Sequence, residues 1–141
     1  MTHARHPALR HGLQLAAFIT VGCAAAGVHL VAVRLLVEHA GLAPLRANVL
    51  GWLVAFVVSF SGHRGLTFRA QRAPLLRSAG RFFILSAAGF VVNQAAYALL
   101  LHTSDLRYDW ALAWVLIGVA VLTFILGRFW AFKGQAAAPP P

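Results

Sequence analysis

Acidic side chains are nearly missing from this chain, with three aspartates and glutamates against twelve lysines and arginines in 141 residues. General acid–base chemistry by paired carboxylates needs two such groups aimed at one site, and Glu38, Asp105 and Asp109 are too few and too scattered to predict one. Cysteine is reduced to Cys23, which leaves no internal disulfide and no cysteine set for zinc. There is no glycine-rich phosphate loop and no nucleophile and base at a recognisable spacing, so the sequence predicts neither an enzyme nor a bound cofactor. His3, His6 and His11 have no cysteine or carboxylate beside them, and no metal site is expected from them.

Charge of either sign is also scarce, at 11% of residues, while 60% are hydrophobic. A soluble four-helix bundle would need a polar face on each helix. What the chain carries instead is four apolar blocks without one, at 13–33, 45–62, 82–101 and 110–127. Crossing about 30 Å of hydrocarbon at about 1.5 Å per residue takes roughly 17 to 25 residues, and each block qualifies. Inside lipid every backbone amide must be satisfied within its own segment, so the blocks read as helices. The expected fold is an all-α membrane protein with four transmembrane helices. The first block follows Arg5 and Arg10 and contains Ala24, Ala25 and Ala26, the outline of a cleaved signal peptide. It runs on to Val33, too long for a signal core, and the second half of the chain repeats its pattern. Residues 1–12 form a basic tail, and the Ala/Pro-rich residues 134–141 are expected to be disordered.

The +9 net charge invites a nucleic-acid reading, but no basic folded face with readout elements accompanies it. The charges alternate by link instead. Arg5 and Arg10 precede the first block; Arg64, Arg69, Arg72, Arg77 and Arg81 fill the link between the second and third; Arg128 and Lys133 follow the fourth. The other two links are lean, with Arg34 and Arg46 against Glu38, and Arg107 against Asp105 and Asp109. Positively charged links stay in the cytoplasm, which predicts both termini inside. The arginines suit anionic lipid headgroups or an anionic ligand.

Sliding the chain against itself by about 64 residues aligns its halves without a gap. Phe18 falls on Phe82, Ala47 on Ala111, Phe60 on Phe124, Arg64 on Arg128 and Phe68 on Phe132. Each half is then two helices, about 15–69 and 79–133, running in the same sense and related by an axis near the membrane normal. The repeat also pairs two intramembrane polar residues, His29 and Asn93. Each has small residues on its helical face, Ala25 and Ala32 in one case, Gly89 and Ala96 in the other. A polar group among small residues makes an interhelical hydrogen bond or marks a substrate path, and the sequence leaves both open.

The helix-end pattern appears twice, as Phe60, His63, Arg64, Leu66, Phe68 and as Phe124, Gly127, Arg128, Trp130, Phe132. Arginine followed by aromatic rings suits an anchor at the lipid boundary, or a pair of guanidiniums brought together to hold a phosphate. With Arg81-Phe82, Ser86 and Asn93 in the third block, Phe18, Val21 and Gly22 in the first and Ala47-Asn48 opening the second, the region from about 15 to 133 resembles the GtrA-like proteins, small four-helix membrane proteins of bacterial polysaccharide synthesis. His63 and Gly127 stand where that family usually has asparagine, Leu66 where it has tryptophan, Ala17 where it has arginine and His29 where it often has aspartate. On this resemblance residues 13–133 form one GtrA-like transmembrane domain in the bacterial cytoplasmic membrane.

The resemblance implies handling of a polyprenyl-phosphate-linked sugar, with Arg64, Arg128 and Arg81 on its phosphate and a polar seam of His29, Asn48 and Asn93 along the sugar's route. A single four-helix chain has little room for a sugar, so a homo-oligomer or a glycosyltransferase partner is expected, with surrounding membrane lipid and no nucleic acid. The alternative is an accessory subunit that holds a glycosyltransferase at the membrane and moves nothing. A proton-coupled exporter of the small multidrug resistance type needs a carboxylate within the membrane, and Glu38, Asp105 and Asp109 all lie in or beside the lean links.

Overall fold

The computed structural model describes residues 7–67 and 74–131 and, within them, the side chains of 12–13, 15–67 and 74–122. Four helices follow one another: α1 (Pro7–Glu38), α2 (Pro44–Gly62), α3 (Leu75–Thr103) and α4 (Tyr108–Ala131). A single π-type turn, His63–Thr67, continues α2, and no strand occurs among the described residues. The residues predicted as the basic tail below 7, the end of the central link at 68–73 and the tail at 134–141 lie outside the described residues, as do Arg69, Arg72 and Lys133.

The helices overrun the apolar blocks at nearly every end, and this corrects the link assignment. Arg77 and Arg81 are not in a link but on the first turns of α3; Arg34 and Glu38 close α1, Arg46 opens α2 and Asp109 opens α4. The hydrophobic pattern reports where lipid ends, whereas the helix stops where its backbone is interrupted. Pro44 starts α2 at a position that needs no N–H, and Pro74 precedes α3 in the same way. The α1–α2 turn closes at Gly41, whose φ of 65° is a left-handed conformation that glycine adopts freely, and Leu42 N–H donates back to the Leu36 carbonyl.

Packing between α1 and α2 follows a stripe repeating every four residues. Val21, Ala25, His29 and Val33 are buried on α1 against Ala47, Asn48, Gly51 and Ala55 on α2. The approach is close enough to require glycine twice. A Cβ on Gly51 would lie 2.7 Å from Val33 Cγ2 and 2.9 Å from His29 Cδ2, and one on Gly62 would lie 2.7 Å from Val21 Cγ1. Small residues at a seam are how helices gain contact when lipid removes the hydrophobic drive between them. Between α2 and α3 the same space is filled by rings. Trp52 stacks on Phe90 at 4.6 Å, and Phe56 and Phe60 meet Phe82 and Phe83.

All four helices contribute to one core at the Glu38 end: Val33, Ala47, Tyr97, Ala111, Leu112 and Val115. The bundle is inverted relative to a soluble one. Its exterior carries Ile84, Leu85, Val91, Val57 and Trp110, while His29, Asn48, His63, Asn93 and Asp109 are buried. Water does not support so extensive an apolar exterior. Three helices, over Leu15–Glu38, Pro44–Leu66 and Leu75–Thr103, are long and apolar enough to cross a bilayer. The fourth, with its described apolar stretch at Tyr108–Leu122, has 24 residues, about 36 Å at 1.5 Å per residue. The chain is a multi-pass membrane protein.

Candidate functional site

Polar side chains gather at three levels of the bundle. The deepest is a carboxamide cluster among α1, α2 and α3. Asn48, fully buried, donates from Nδ2 to Asn93 Oδ1 at 3.0 Å and to Gln94 Oε1 at 2.7 Å. Gln94 Nε2 donates to the Leu45 carbonyl at 3.1 Å. The His29 ring nitrogen Nε2 lies 3.3 Å from the Asn48 carbonyl oxygen and donates to it in its Nε2–H form. The three residues predicted as a polar seam therefore meet: Asn48 stands between His29 and Asn93. Gln94 joins them unannounced. Its signal in the sequence is modest, a second amide directly after Asn93 inside an apolar block, and helical geometry alone places it off the Asn93 face. Only the approach of the first turn of α2 brings Leu45 and Asn48 within its reach.

Arg64 marks the second level. It sits half-buried in the π-type turn, where its Nη1 donates to Ser78 Oγ at 2.9 Å, and Ser78 in turn donates to the Leu75 carbonyl at 3.0 Å. The end of α2 is thereby tied to the first turn of α3. Arg77 and Arg81 are exposed on that same stretch of α3, so three guanidiniums belong to one end of the bundle. Beside them His63 is buried against the rings of Phe18 at 4.7 Å and Phe82 at 5.8 Å. Arg128 lies on the last turns of α4, beyond the described side chains, as do Phe124, Gly127 and Trp130, while Phe132 and Phe68 lie outside the described residues altogether. From Asn48 to Arg64 is sixteen positions along α2, roughly 24 Å at 1.5 Å per residue. A hexose phosphate is far shorter, so the amide cluster and the arginines are two stations and not one pocket.

The third level closes the opposite end. Arg34 pairs with Glu38 at 3.3 Å and with Asp109 at 3.8 Å, and Arg107 Nε donates to Asp109 Oδ1 at 2.7 Å. Tyr108 donates to Glu38 at 2.9 Å, and Tyr97 donates to the Tyr108 carbonyl at 3.0 Å. Hydrogen bonding to the Asp109 carboxylate pushes the Arg107 pKa up, so the guanidinium stays charged. Two of the three acidic residues of the chain are committed here to joining α1 to α4.

Among the described residues no group of three or more His, Cys, Asp or Glu could hold a metal ion; His3, His6 and the His11 side chain lie outside them. Cys23 is exposed on α1. Ser86, singled out in the sequence, accepts a hydrogen bond from Trp52 Nε1 at 2.9 Å and orients the stacked indole. Residues 17–132 match the family model described as GtrA/DPMS, transmembrane domain. Neither the curated proteins nor the solved structures give a match.

Proposed function

Since the chain belongs to the GtrA/DPMS transmembrane family, a membrane family tied to glycosyl-lipid and polysaccharide synthesis, we propose that it carries a polyprenyl-phosphate-linked sugar across the bacterial cytoplasmic membrane. Arg64, with Arg81 and Arg128, takes the phosphate at the cytoplasmic face, where guanidinium forms charge-assisted bonds at the lipid boundary. The sugar then passes His29, Asn48, Asn93 and Gln94, and the polyprenyl tail remains in lipid. The observation that supports this reading is the amide cluster itself. Four polar side chains inside an apolar bundle, facing its interior, are what a hydroxyl-rich cargo needs and what lipid penalises.

A second reading draws on the core. Val33, Ala47, Tyr97, Ala111 and Leu112 are fully buried where all four helices meet, so the described side chains pack the bundle tightly at that level. Such a bundle suits an accessory subunit that holds a glycosyltransferase at the membrane, and it also suits a homo-oligomer that passes the sugar between copies. The two readings separate in proteoliposomes loaded with a labelled polyprenyl-phosphate hexose. Translocation predicts crossing faster than in protein-free vesicles. It also predicts a fall of roughly ten- to a hundredfold in the Arg64→Ala, Arg128→Ala double variant, the scale of lost charged hydrogen bonds. Equal crossing with and without folded protein assigns the chain to the accessory role, and co-purification with a glycosyltransferase becomes the expected result.

A further inference from the structure

The amide cluster has one atom too many. Each orientation in it is forced by the next. The Leu45 carbonyl can only accept, so Gln94 turns Nε2 toward it and Oε1 toward Asn48. Facing that oxygen and Asn93 Oδ1, Asn48 must offer its Nδ2, and both of its N–H groups are then used. The Asn48 carbonyl oxygen, Oδ1, is left as an acceptor, fully buried and without a partner among the described residues. His29 does not supply the missing bond, because its Nε2 is directed to the backbone oxygen of Asn48. Turning the Asn48 amide over would set its oxygen against two other oxygens, so the unpaired acceptor stays on Asn48.

Such an acceptor takes one kind of partner, a hydrogen-bond donor. The neighbouring core of Val33, Ala47, Tyr97 and Leu112 is apolar, and no carboxylate lies in the cluster to balance an ammonium. A charged donor would be buried unpaired, which low-dielectric surroundings oppose strongly. A neutral hydroxyl fits. We propose that Asn48 Oδ1 is the acceptor that recognises one hydroxyl of the transported sugar, and that Gln94 is the positioning residue that turns it to accept. This rests on the translocation reading above and adds to it the polarity of recognition. Because the cluster lies roughly 24 Å from Arg64 along α2, the contact forms after the phosphate has left that arginine. It therefore governs the rate of crossing and not the first capture.

The test uses the full-length protein in proteoliposomes with a labelled polyprenyl-phosphate hexose and its single-position deoxyfluoro analogues. In each analogue C–F replaces one C–OH, which removes a donor at nearly constant size. Expected for the unaltered protein is one position whose fluorination slows crossing by roughly five- to tenfold, the scale of one neutral hydrogen bond, with the other positions close to the parent. In Asn48→Ala that difference disappears, because the parent falls to the rate of the affected analogue, and Gln94→Ala removes it in the same way. Arg64→Ala slows every analogue equally. The proposal is overturned if no position stands out in the unaltered protein, which is also the result expected if a bound water donates to Asn48 Oδ1. It is overturned too if Asn48→Ala slows all analogues alike and preserves their differences, since that is a structural role. Should Asn48→Ala fail to fold, the analogue series on the unaltered protein decides alone. Absence of any accelerated crossing removes the translocation reading and this proposal together, and is distinct from crossing that ignores the hydroxyl pattern.

Discussion

Gly51 and Gly89 occupy helices of the same bundle, yet a methyl group has opposite consequences at the two. At Gly51 an added Cβ meets Val33 at 2.7 Å and His29 at 2.9 Å, whereas at Gly89 nothing lies within 4 Å. Gly51→Ala is therefore expected to destabilise the protein by about 1–3 kcal/mol through overpacking and to displace His29 from the Asn48 carbonyl. Gly89→Ala should be neutral or stabilising by up to about 1 kcal/mol, because alanine is the better helix former. Thermal unfolding of the two variants in one detergent checks the pair, and equal losses would contradict the close approach of α1 and α2. At this scale the sequence was partly legible. Asn48, His29 and Asn93 stand out because a polar residue in an apolar block is conspicuous wherever it points. The glycine contact and the Gln94 bond could not be read, since both depend on which face of one helix meets which turn of another.

The ends of α1 and α4 meet through charge and aromatic hydroxyls as well as apolar contact. The junction of α1 with α4 depends on Asp109, whose side chain is only 9% exposed and faces Arg34 and Arg107, while Glu38 is 41% exposed. Asp109→Asn removes the shielded carboxylate that Arg34 and Arg107 share and is expected to cost about 1–3 kcal/mol. Glu38→Gln, at a solvated pair, should lower the melting temperature far less than Asp109→Asn. Melting curves at low and high salt distinguish them further, because the exposed pair is the one that salt screens. The helix count followed from the apolar blocks, but the helix ends did not. Arg77 and Arg81 lie on α3 because nothing between Pro74 and Phe82 interrupts the backbone, so charge at these positions does not mark a link. The Arg64–Ser78 bond was hidden for the same reason: Ser78 becomes a neighbour only when α3 begins early enough to carry it.

The two halves of the molecule do not pack alike despite their alignment in sequence. Val21 and Ala25 on α1 are buried by α2, whereas their counterparts at the repeat spacing, Leu85 and Gly89 on α3, are exposed, Leu85 at 72%. Farther along, the counterparts of His29 and Val33 are Asn93 and Tyr97, and all four are buried. The orientation of the whole bundle in the membrane is expected to follow its charges. The arginine-rich end carries Arg64, Arg77 and Arg81, with Arg69 and Arg72 in the adjoining link, while the other end balances Arg34 and Arg107 against Glu38 and Asp109. Retention of positively charged links on the cytoplasmic side then fixes the expected topology. In a Cys23→Ala background, needed because Cys23 is itself exposed, a single cysteine in place of Asp105 should react with a membrane-impermeant maleimide added to intact cells. A cysteine in place of Arg72 should react only after the membrane is opened. The reverse pattern would put Arg64 at the outer face, remove it from any cytoplasmic lipid-linked phosphate, and send the search for phosphate capture to Arg34 and Arg107.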